Sequence, residues 1–453
     1  TGRLPSTLNL RVNDLQLQKG TPTLASVLKT MGYRTIAVVS SQIIDRSHGL
    51  TQGFEVYDDI MKVGPMAGSP PVEKLAEDAT AKALAEMKKA GRAPFFLWVH
   101  YYDPHYAYRA PEPFGQKYSR SPYDGEIAYM DSQIGVLLSE LGKAGMMENT
   151  LVVVAGDHGE ALSEFGESQH GVFIYEPVMR VPLMFKWKGH LPRGKRVEGL
   201  CGLTDLAPTV CELMGIPGWK MDGKSLVGSI EKGSVEPGRD LYIESYHGYF
   251  AYGWAPLRGI MTGIYKYIQA PRPELYEWKV TEKNNLAGSN PAKMKELSGI
   301  LKNYPEADQG EKALIDKLLT DPSNEESLKQ LVSLGYLSGL GQSPGQKGLL
   351  DPKDAISFDD QMSKAKDMME TGKMQEGMDI LLQILKVNPT NNSALSLLGS
   401  AYMQAGDLEK ARVCFEEELK LKPQLEKAHL NLGTVFEKQG KIELAVREYK
   451  AAI

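Results

Sequence analysis

Residues 151–171 read LVVVAGDHGEALSEFGESQHG, and this stretch decides the fold prediction. The apolar run 151–155 is typical of a buried strand, and a polar GDHG turn follows it directly. In α/β sheets, ligands bind beyond the carboxyl ends of the strands. Asp157 and His158 lie at that end and offer a hard oxygen and an imidazole nitrogen to a cation. His170 follows twelve residues after His158, within reach of the same site. The alternative interpretation is a helix cap and an ordinary surface histidine.

The sequence on both sides of this stretch alternates short apolar runs with amphipathic segments. Further strands are predicted at 36–39, 95–99 and 181–185, and helices are predicted at 71–89 and 125–144. Strands that alternate with helices indicate an α/β domain whose sheet is mostly parallel.

A second cluster of polar residues follows the predicted strand 95–99. The sequence HYYDPHYAY at 100–108 places His100, Asp103 and His105 within six positions. Such clusters at a strand end suit metal binding or general acid–base chemistry. The alternative is a loop of ordinary polar residues.

The region behind residue 340 has a different composition. Residues 341–354 are rich in Gly, Pro and polar residues and are predicted to form a linker. Residues 355–453 are predicted to be helical and to repeat every 34 residues. The residues that share this spacing are Gly372, Gly406 and Gly440, Gly399 and Gly433, and Pro389 and Pro423. This period is the signature of tetratricopeptide (TPR) helix pairs. We therefore expect about three repeats, the first one degenerate, that bind a protein or peptide partner.

Composition excludes some classes of function. The formal net charge of −5 argues against a nucleic-acid partner, because nucleic-acid-binding domains carry a basic face. No apolar run is long enough for a membrane segment. Cys201, Cys211 and Cys414 lack metal-ligand spacing and are interpreted as small buried hydrophobic residues.

Several longer segments of the first 340 residues carry a resemblance to a known family. They include TPTLASVLKTMGYRT at 21–35, GLTQGFEVYDD at 49–59, FFLWVHYYDPHYAYRAPEPF at 95–114, NTLVVVAGDHGEALSEFGESQHGVFIYEPVMRVPLMFK at 149–186, TDLAPTVCELMGIP at 204–217, RGIMTGIYKYI at 258–268 and LVSLGYLSG at 331–339. In these segments, residues 1–340 resemble the sulfatase family of the alkaline phosphatase superfamily.

The resemblance implies a fold, a reaction and a set of site residues. It implies an alkaline-phosphatase-like sheet sandwiched by helices, with a small C-terminal subdomain at about 245–340. The activity it implies is hydrolysis of a small-molecule or glycan sulfate ester with a divalent cation, Ca²⁺ or Mg²⁺ before Mn²⁺ or Zn²⁺. By this resemblance, Asp157 and His158 are metal ligands, and His105 and His170 are catalytic residues near the leaving group or the sulfuryl oxygens. Family members are often exported or periplasmic, and the sequence leaves localisation open.

Two features of the family are missing from these residues. Sulfatases attack with a formylglycine made from Cys or Ser in a C/S-x-P-x-R motif, and an Asp pair on the first strand also binds the metal. Neither stands in residues 1–453. The opening TGRLPSTLNLRVN at 1–13 resembles the segment that follows the nucleophile helix. The resemblance therefore predicts that the nucleophile precedes Thr1 and that these residues alone are inactive.

Two other functions stay open. One is a phosphodiesterase, phosphonate hydrolase or phosphotransferase of the same superfamily with a Ser or Thr nucleophile, in which Asp103 and His105 would hold a second metal. The other is an inactive, hydrolase-like scaffold that binds a partner through the repeats. The aromatic side chains between 246 and 254 are predicted to be core residues, and the sequence indicates no particular substrate.

Overall fold

A computed structural model describes residues 1–11, 15–61, 74–106, 108–306, 349–421 and 425–452. The chain divides into two compact units. The first consists of Thr1–Asp157 and Pro182–Pro237, and the second of His158–Val181 and Gly238–Ile453.

The described secondary structure alternates in the first half and is helical at the end. The strands are β1 Arg34–Val38, β2 Val56–Asp58, β3 Phe95–Val99, β4 Val152–Ala155, β5 Leu183–Lys186, β6 Leu241–Ser245, β7 Leu257–Met261, β8 Tyr265–Gln269 and β9 Glu274–Glu277. The α-helices are α1 Pro5–Leu8, α2 Leu24–Thr30, α3 Ala76–Ala90, α4 Phe114–Lys117, α5 Pro122–Lys143, α6 Glu176–Met179, α7 Leu206–Met214, α8 Val227–Lys232, α9 His247–Tyr252, α10 Pro291–Leu301, α11 Pro352–Glu370, α12 Met374–Val387, α13 Asn392–Gln404, α14 Leu408–Leu421, α15 Glu426–Lys438 and α16 Ile442–Ala451.

The first unit contains the parallel sheet. Its described strands run in the order β2-β1-β3 and are parallel, with Ile36 of β1 between Val56 and Leu97. Strands β4 and β5 form a separate antiparallel pair in which Ala155 faces Leu183. The α/β class and the parallel sheet are confirmed. The antiparallel pairing adds a feature that apolar runs alone do not specify.

Helices pack on both faces of this sheet. Successive strand residues point to opposite faces, and apolar residues on each face pack against helices. Ile36 and Leu97 pack with Ala79 of α3 and Leu137 of α5. Their neighbour Phe96 packs in a separate cluster with residues of α2 and α7. The predicted sandwich of helices around the sheet is therefore confirmed. Helix α2 begins where the sequence TPTLAS forms a capping box, in which the Thr23 hydroxyl accepts the backbone N–H of the serine three residues on.

The second unit contains an antiparallel meander with the strand order β6-β7-β8-β9. Helix α10 packs on it with Leu297 and Leu301 fully buried. The site-bearing segment, His158–Val181, is fastened to this sheet by polar contacts. The Lys266 ammonium donates to the Ile174 carbonyl at 3.2 Å, and the Tyr175 hydroxyl donates to Glu274 at 2.7 Å. The predicted small C-terminal subdomain at about 245–340 falls within this unit, and its residues 307–340 lie outside the described residues.

Helices α11–α16 form three helix pairs, as the 34-residue period predicts. Gly372, Gly406 and Gly440 each turn the chain between two paired helices with φ of 88°, 81° and 73°, a conformation that glycine adopts without strain. A Cβ at Gly399 would lie 2.7 Å from Phe415, because the paired helices approach closely there. Pro423 lies outside the described residues.

The end of the predicted linker is part of the packed structure. Residues 341–348 lie outside the described residues, but the backbone N–H of Ala255 donates to the Leu350 carbonyl at 2.9 Å. Asp351 caps α11 through the N–H of Lys353 and also accepts the backbone N–H of Arg272 at 3.0 Å. The helical array therefore starts at Pro352, and the residues just before it contact other parts of the second unit, at Ala255 and Arg272.

Other expectations have mixed outcomes. Tyr246, Tyr249 and Trp254 are buried core residues, as predicted. Cys211 and Cys414 are buried, but Cys201 is exposed, so the prediction of a buried side chain is wrong there. Within the parts of the chain that the structure describes, no helix is long and apolar enough to cross a membrane.

Candidate functional site

Asp157 lies in the first unit, two residues beyond the end of β4, and its side chain is exposed. Its charge acts on His100, which follows β3. Burial lowers the pKa of His100, and the negative charge of Asp157 opposes this shift. The backbone N–H of His100 also continues the β1–β3 pairing by donating to Val38 at 2.9 Å. Asp157 and His100, which follow different strands, are therefore close enough for their charges to interact.

His158, the next residue along the chain, belongs to the second unit and is exposed. Its Nδ1 lies 2.9 Å from the Gly159 carbonyl oxygen. Because a carbonyl only accepts hydrogen bonds, Nδ1 carries the proton and Nε2 carries the lone pair of the neutral ring. Metal-binding histidines are commonly oriented in this way. Gly159 is required here, since an added Cβ would lie 2.1 Å from the Pro177 carbonyl oxygen.

His170 stacks on His158 with ring centroids 3.9 Å apart and planes inclined by 28°. Its Nδ1 lies 3.0 Å from Oε1 of Glu160, whose side chain is 3% exposed. This contact fixes the orientation of the His170 ring and leaves Nε2 as the ring nitrogen that faces away from Glu160. Glu160 is a site residue that sequence reasoning missed. Its position two residues after His158 was the available signal.

The loop between these histidines folds back on itself. Leu162, Ser163 and Phe165 have positive φ, which is uncommon for residues other than glycine. The buried Glu167 carboxylate accepts the backbone N–H groups of Val172 and Phe173 at 2.7 and 3.2 Å. Burial is the main cause that raises the pKa of Glu167 to about 7. The internal Glu167 carboxyl group therefore holds this loop, which contains one short 3₁₀ turn at Glu164–Gly166.

His105 lies in the first unit, in a loop organised by Glu126 of α5. Its backbone N–H donates to Glu126 at 2.9 Å, and its ring stacks on Tyr102 with centroids 4.2 Å apart. Nδ1 donates to the Tyr106 carbonyl at 2.9 Å, so the neutral ring accepts a hydrogen bond from the Tyr102 hydroxyl through Nε2 at 3.1 Å. Glu126 was also missed, because its role depends on a contact 21 residues away in the sequence.

Asp103 has a structural role in this loop. One of its carboxylate oxygens accepts the backbone N–H of Ala76 at 3.1 Å, at the start of α3. A carboxylate at a helix N-terminus satisfies an unpaired N–H group and interacts favourably with the helix dipole. The idea of a second metal on Asp103 and His105 thus has a competing explanation. Among the residues described here, no three His, Cys, Asp or Glu side chains gather as a metal site.

Solved structures of other proteins share this architecture. A structure solved in complex with its substrate D-glucosamine-2-N,6-O-disulfate superposes with a TM-score of 0.55 at 18% identity, covering 67% of this chain and 85% of that one. The helix-flanked parallel sheet of the first unit and the antiparallel sheet of the second are both features of the alkaline-phosphatase-like fold class.

Matches to family models narrow the class further. Residues 1–216 match the sulfatase family, residues 168–313 match the C-terminal region of N-sulphoglucosamine sulphohydrolase, and residues 399–440 match a TPR repeat. Residues 1–313 of the chain are thus sulfatase-like, and a TPR repeat follows them.

Two curated relatives illustrate the extent of the similarity. Human arylsulfatase A is 26% identical over 197 residues, 40% of this chain and 37% of the relative. The N-acetylglucosamine-6-O-sulfatase of Bacteroides thetaiotaomicron is 29% identical over 221 residues, 44% of this chain and 38% of the relative. The chain thus matches less than two fifths of the length of either relative.

Proposed function

We propose that this chain supplies the cation-binding and acid–base groups of a metal-dependent sulfate ester hydrolase. The observation that carries the proposal is the stacked pair His158 and His170. Each Nδ1 has a fixed acceptor, the Gly159 carbonyl for one and the Glu160 carboxylate for the other. Metal binding and proton transfer both require an imidazole whose orientation is fixed and whose Nε2 faces the metal or the proton acceptor.

Asp157 and His158 are proposed as two of the ligands of a divalent cation. The exposed Asp157 carboxylate suits a hard cation such as Ca²⁺ or Mg²⁺, and the oriented His158 nitrogen also admits Mn²⁺ or Zn²⁺. When bound, the cation stabilises the negative charge that develops on the nonbridging oxygens of the sulfuryl group.

His170 and His105 are proposed as the catalytic residues. Glu160 holds the His170 ring so that a protonated Nε2 gives its proton to the leaving-group oxygen as the ester bond breaks. His105 is oriented by its hydrogen bond to the Tyr106 carbonyl and by the Tyr102 ring beneath it. When protonated, either imidazole donates a hydrogen bond to the sulfuryl or leaving-group oxygen, where charge develops in the transition state.

A sulfated amino sugar is the proposed substrate class. Two matches support this choice: the family model for the C-terminal region of N-sulphoglucosamine sulphohydrolase, and the N-acetylglucosamine-6-O-sulfatase relative. The repeat array is proposed to bind a protein or peptide partner, because stacked helix pairs present an extended concave surface.

Cation binding tests the metal ligands without reference to activity. Calorimetric titration of Ca²⁺ and Mn²⁺ into the chain should show binding that Asp157→Asn and His158→Ala each weaken by at least about tenfold. Asp131→Asn, which changes an exposed carboxylate on α5, is the matched control and should bind as the parent does. Equal binding by all three variants would remove both residues from the metal site.

Turnover tests the reaction. The natural protein, including any residues before Thr1, should hydrolyse N-acetylglucosamine 6-sulfate or 4-nitrophenyl sulfate in preference to bis(4-nitrophenyl) phosphate and phenylphosphonate, and Asp157→Ala should abolish activity. Preference for the phosphorus esters would favour the phosphodiesterase or phosphonate hydrolase branch. Residues 1–453 alone should turn over none of them. Sulfate release by these residues would contradict the prediction that the nucleophile precedes them.

A further inference from the structure

The first helix of the repeat array packs on the loop that precedes His170. A Cβ added at Gly166 would lie 3.5 Å from Cγ2 of Ile356 on α11. Ile356 is buried, as is its neighbour Phe358. The array and this loop therefore lie next to each other within the second unit, with no room for a large side chain at Gly166.

The start of α11 is held by charged groups as well. The Lys353 ammonium lies 2.7 Å from Glu274 of β9, and the Arg272 guanidinium lies 2.7 Å from Asp354. Further along the array, the Ser393 hydroxyl donates to the Ala251 carbonyl of α9 at 3.4 Å. The two ion pairs hold the start of α11 on the antiparallel sheet, and the Ser393 hydrogen bond holds α13 on α9.

Asp359, on α11, begins a chain of contacts that leads to His170. It accepts a hydrogen bond from the Tyr252 hydroxyl of α9. The Tyr252 ring packs edge-on against His247 at 5.7 Å, and His247 lies against Gly171, where an added Cβ would be 3.7 Å from Cγ of the imidazole. Gly171 directly follows His170.

The charges along this path are consistent with its geometry. Burial raises the pKa of Asp359, while the Tyr252 hydrogen bond and the charge of His247 lower it. Burial lowers the pKa of His247, the negative charge of Asp359 opposes this, and the charge of His170 adds to it. Asp359, His247 and His170 are thus close enough to interact electrostatically.

A second hydrogen bond also fixes the backbone at Gly171. The Ser245 hydroxyl, at the end of β6, donates to the Gly171 carbonyl. Gly171 has φ of 110°, which side chains rarely allow, and the imidazole of His247 lies beside it. The backbone next to His170 is therefore defined by residues of the sheet and of α9, and α9 is defined in turn by α11.

We propose that Asp359 of the repeat array is a positioning residue, which holds Tyr252 and His247 against Gly171 and so orients His170. This inference rests on the proposed catalytic function of His170. It makes the first repeat a structural part of the hydrolase site, in addition to any partner that the array binds.

Substitution of Asp359 tests this role in the full-length protein. Asp359→Ala removes the acceptor of the Tyr252 hydroxyl, and Asp359→Asn retains an acceptor oxygen. Asp360→Ala, at the exposed next position, is the matched control. Tyr252→Phe removes the same hydrogen bond from the other side and leaves α11 unchanged.

Hydrogen exchange measured by mass spectrometry gives a readout independent of activity. Asp359→Ala and Tyr252→Phe should each raise exchange in residues 163–171 by about tenfold, while Asp359→Asn and Asp360→Ala leave it near the parent value. Exchange in α13–α16 should stay unchanged in every variant. Unchanged exchange at 163–171 in both Asp359→Ala and Tyr252→Phe would overturn the proposal. So would a loss of protection throughout the array in both variants, since the residue would then only hold the array together.

Kinetics separate this inference from the proposed function. With active protein, Asp359→Ala should lower kcat about tenfold with KM within about twofold, because His170 is misplaced while substrate binding is retained. Asp359→Asn should restore most of kcat. An unchanged kcat in Asp359→Ala contradicts the inference. If His170→Ala keeps full activity, the proposed function of His170 fails instead, and the exchange result still decides whether Asp359 positions the loop.

Discussion

Replacement of Lys266 by methionine is the sharpest test of how the site-bearing segment is held. Lys266 lies on β8 and its side chain has no exposure to solvent. Its ammonium lies 2.9 Å from Glu176 and 2.6 Å from Glu282, besides donating to the Ile174 carbonyl. Lys266→Met keeps the aliphatic stem and removes the charge.

The magnitude follows from the carboxylate that is left behind. Glu282 is 2% exposed, and removal of one partner from a buried ion pair costs about 3–5 kcal/mol. Burial already raises the pKa of Glu282 while Lys266 lowers it. Without Lys266 this pKa rises further. The charged form then opposes folding, so the loss of stability grows as pH rises and shrinks as pH falls.

Urea unfolding followed by circular dichroism at pH 5.5 and pH 8 measures both effects. We expect Lys266→Met to reduce the free energy of unfolding by about 3–5 kcal/mol at pH 8 and by clearly less at pH 5.5. Adding Glu282→Gln should recover part of the loss at pH 8. Lys293→Met removes an ion pair at a partly exposed position and should change stability by less than about 1 kcal/mol. The reasoning would be refuted if Lys266→Met reduced the free energy of unfolding by as little as Lys293→Met does, or by the same amount at both pH values.

Three further predictions concern other parts of the molecule. Gly433→Ala should lower the free energy of unfolding by about 1–3 kcal/mol in a urea titration, because its Cβ would lie 2.5 Å from a facing tyrosine ring. Gly299→Ala on α10 has open space around the added Cβ and should be neutral or stabilising in the same titration. The stability of Glu167→Gln relative to the parent should rise by roughly 2 to 3 kcal/mol between pH 5 and pH 8. The reason is that the parent carboxyl group, with a pKa of about 7, increasingly opposes folding as it ionises. A stability difference that does not change with pH in thermal unfolding would contradict this. Glu126→Gln removes one of two acceptor oxygens beneath the loop that carries His105, so amide exchange there should rise severalfold while the α5 helix stays protected.

Local patterns predicted the elements of this fold well. The 34-residue spacing of Gly372, Gly406 and Gly440 located three helix turns, because each turn needs a left-handed residue that glycine supplies. The run FFLWV predicted β3 at its observed bounds, although its five residues are half-buried rather than fully buried. Such signals lie within a few residues of one another and are visible in the sequence.

The rest depends on contacts between residues that are distant in sequence. The candidate residues Asp157 and His158 could be proposed from their place after a strand, but the sequence did not reveal that Glu160 orients His170. Nor did it reveal Asp359, whose hydrogen bond to Tyr252 spans 107 residues. No periodicity encodes such a pairing, since it arises only when the helical array packs on the sheet.

The attachment of the His158–Val181 segment has a consequence for the order of events during synthesis. Lys266, which fixes Glu176, is made 90 residues later than its partner. At typical translation rates this corresponds to an interval of about 5 to 20 seconds. During that time the segment lacks the sheet on which it rests, and the contact with α11 has to wait longer still. The parallel sheet can therefore begin to form on the ribosome before the histidine pair is ordered.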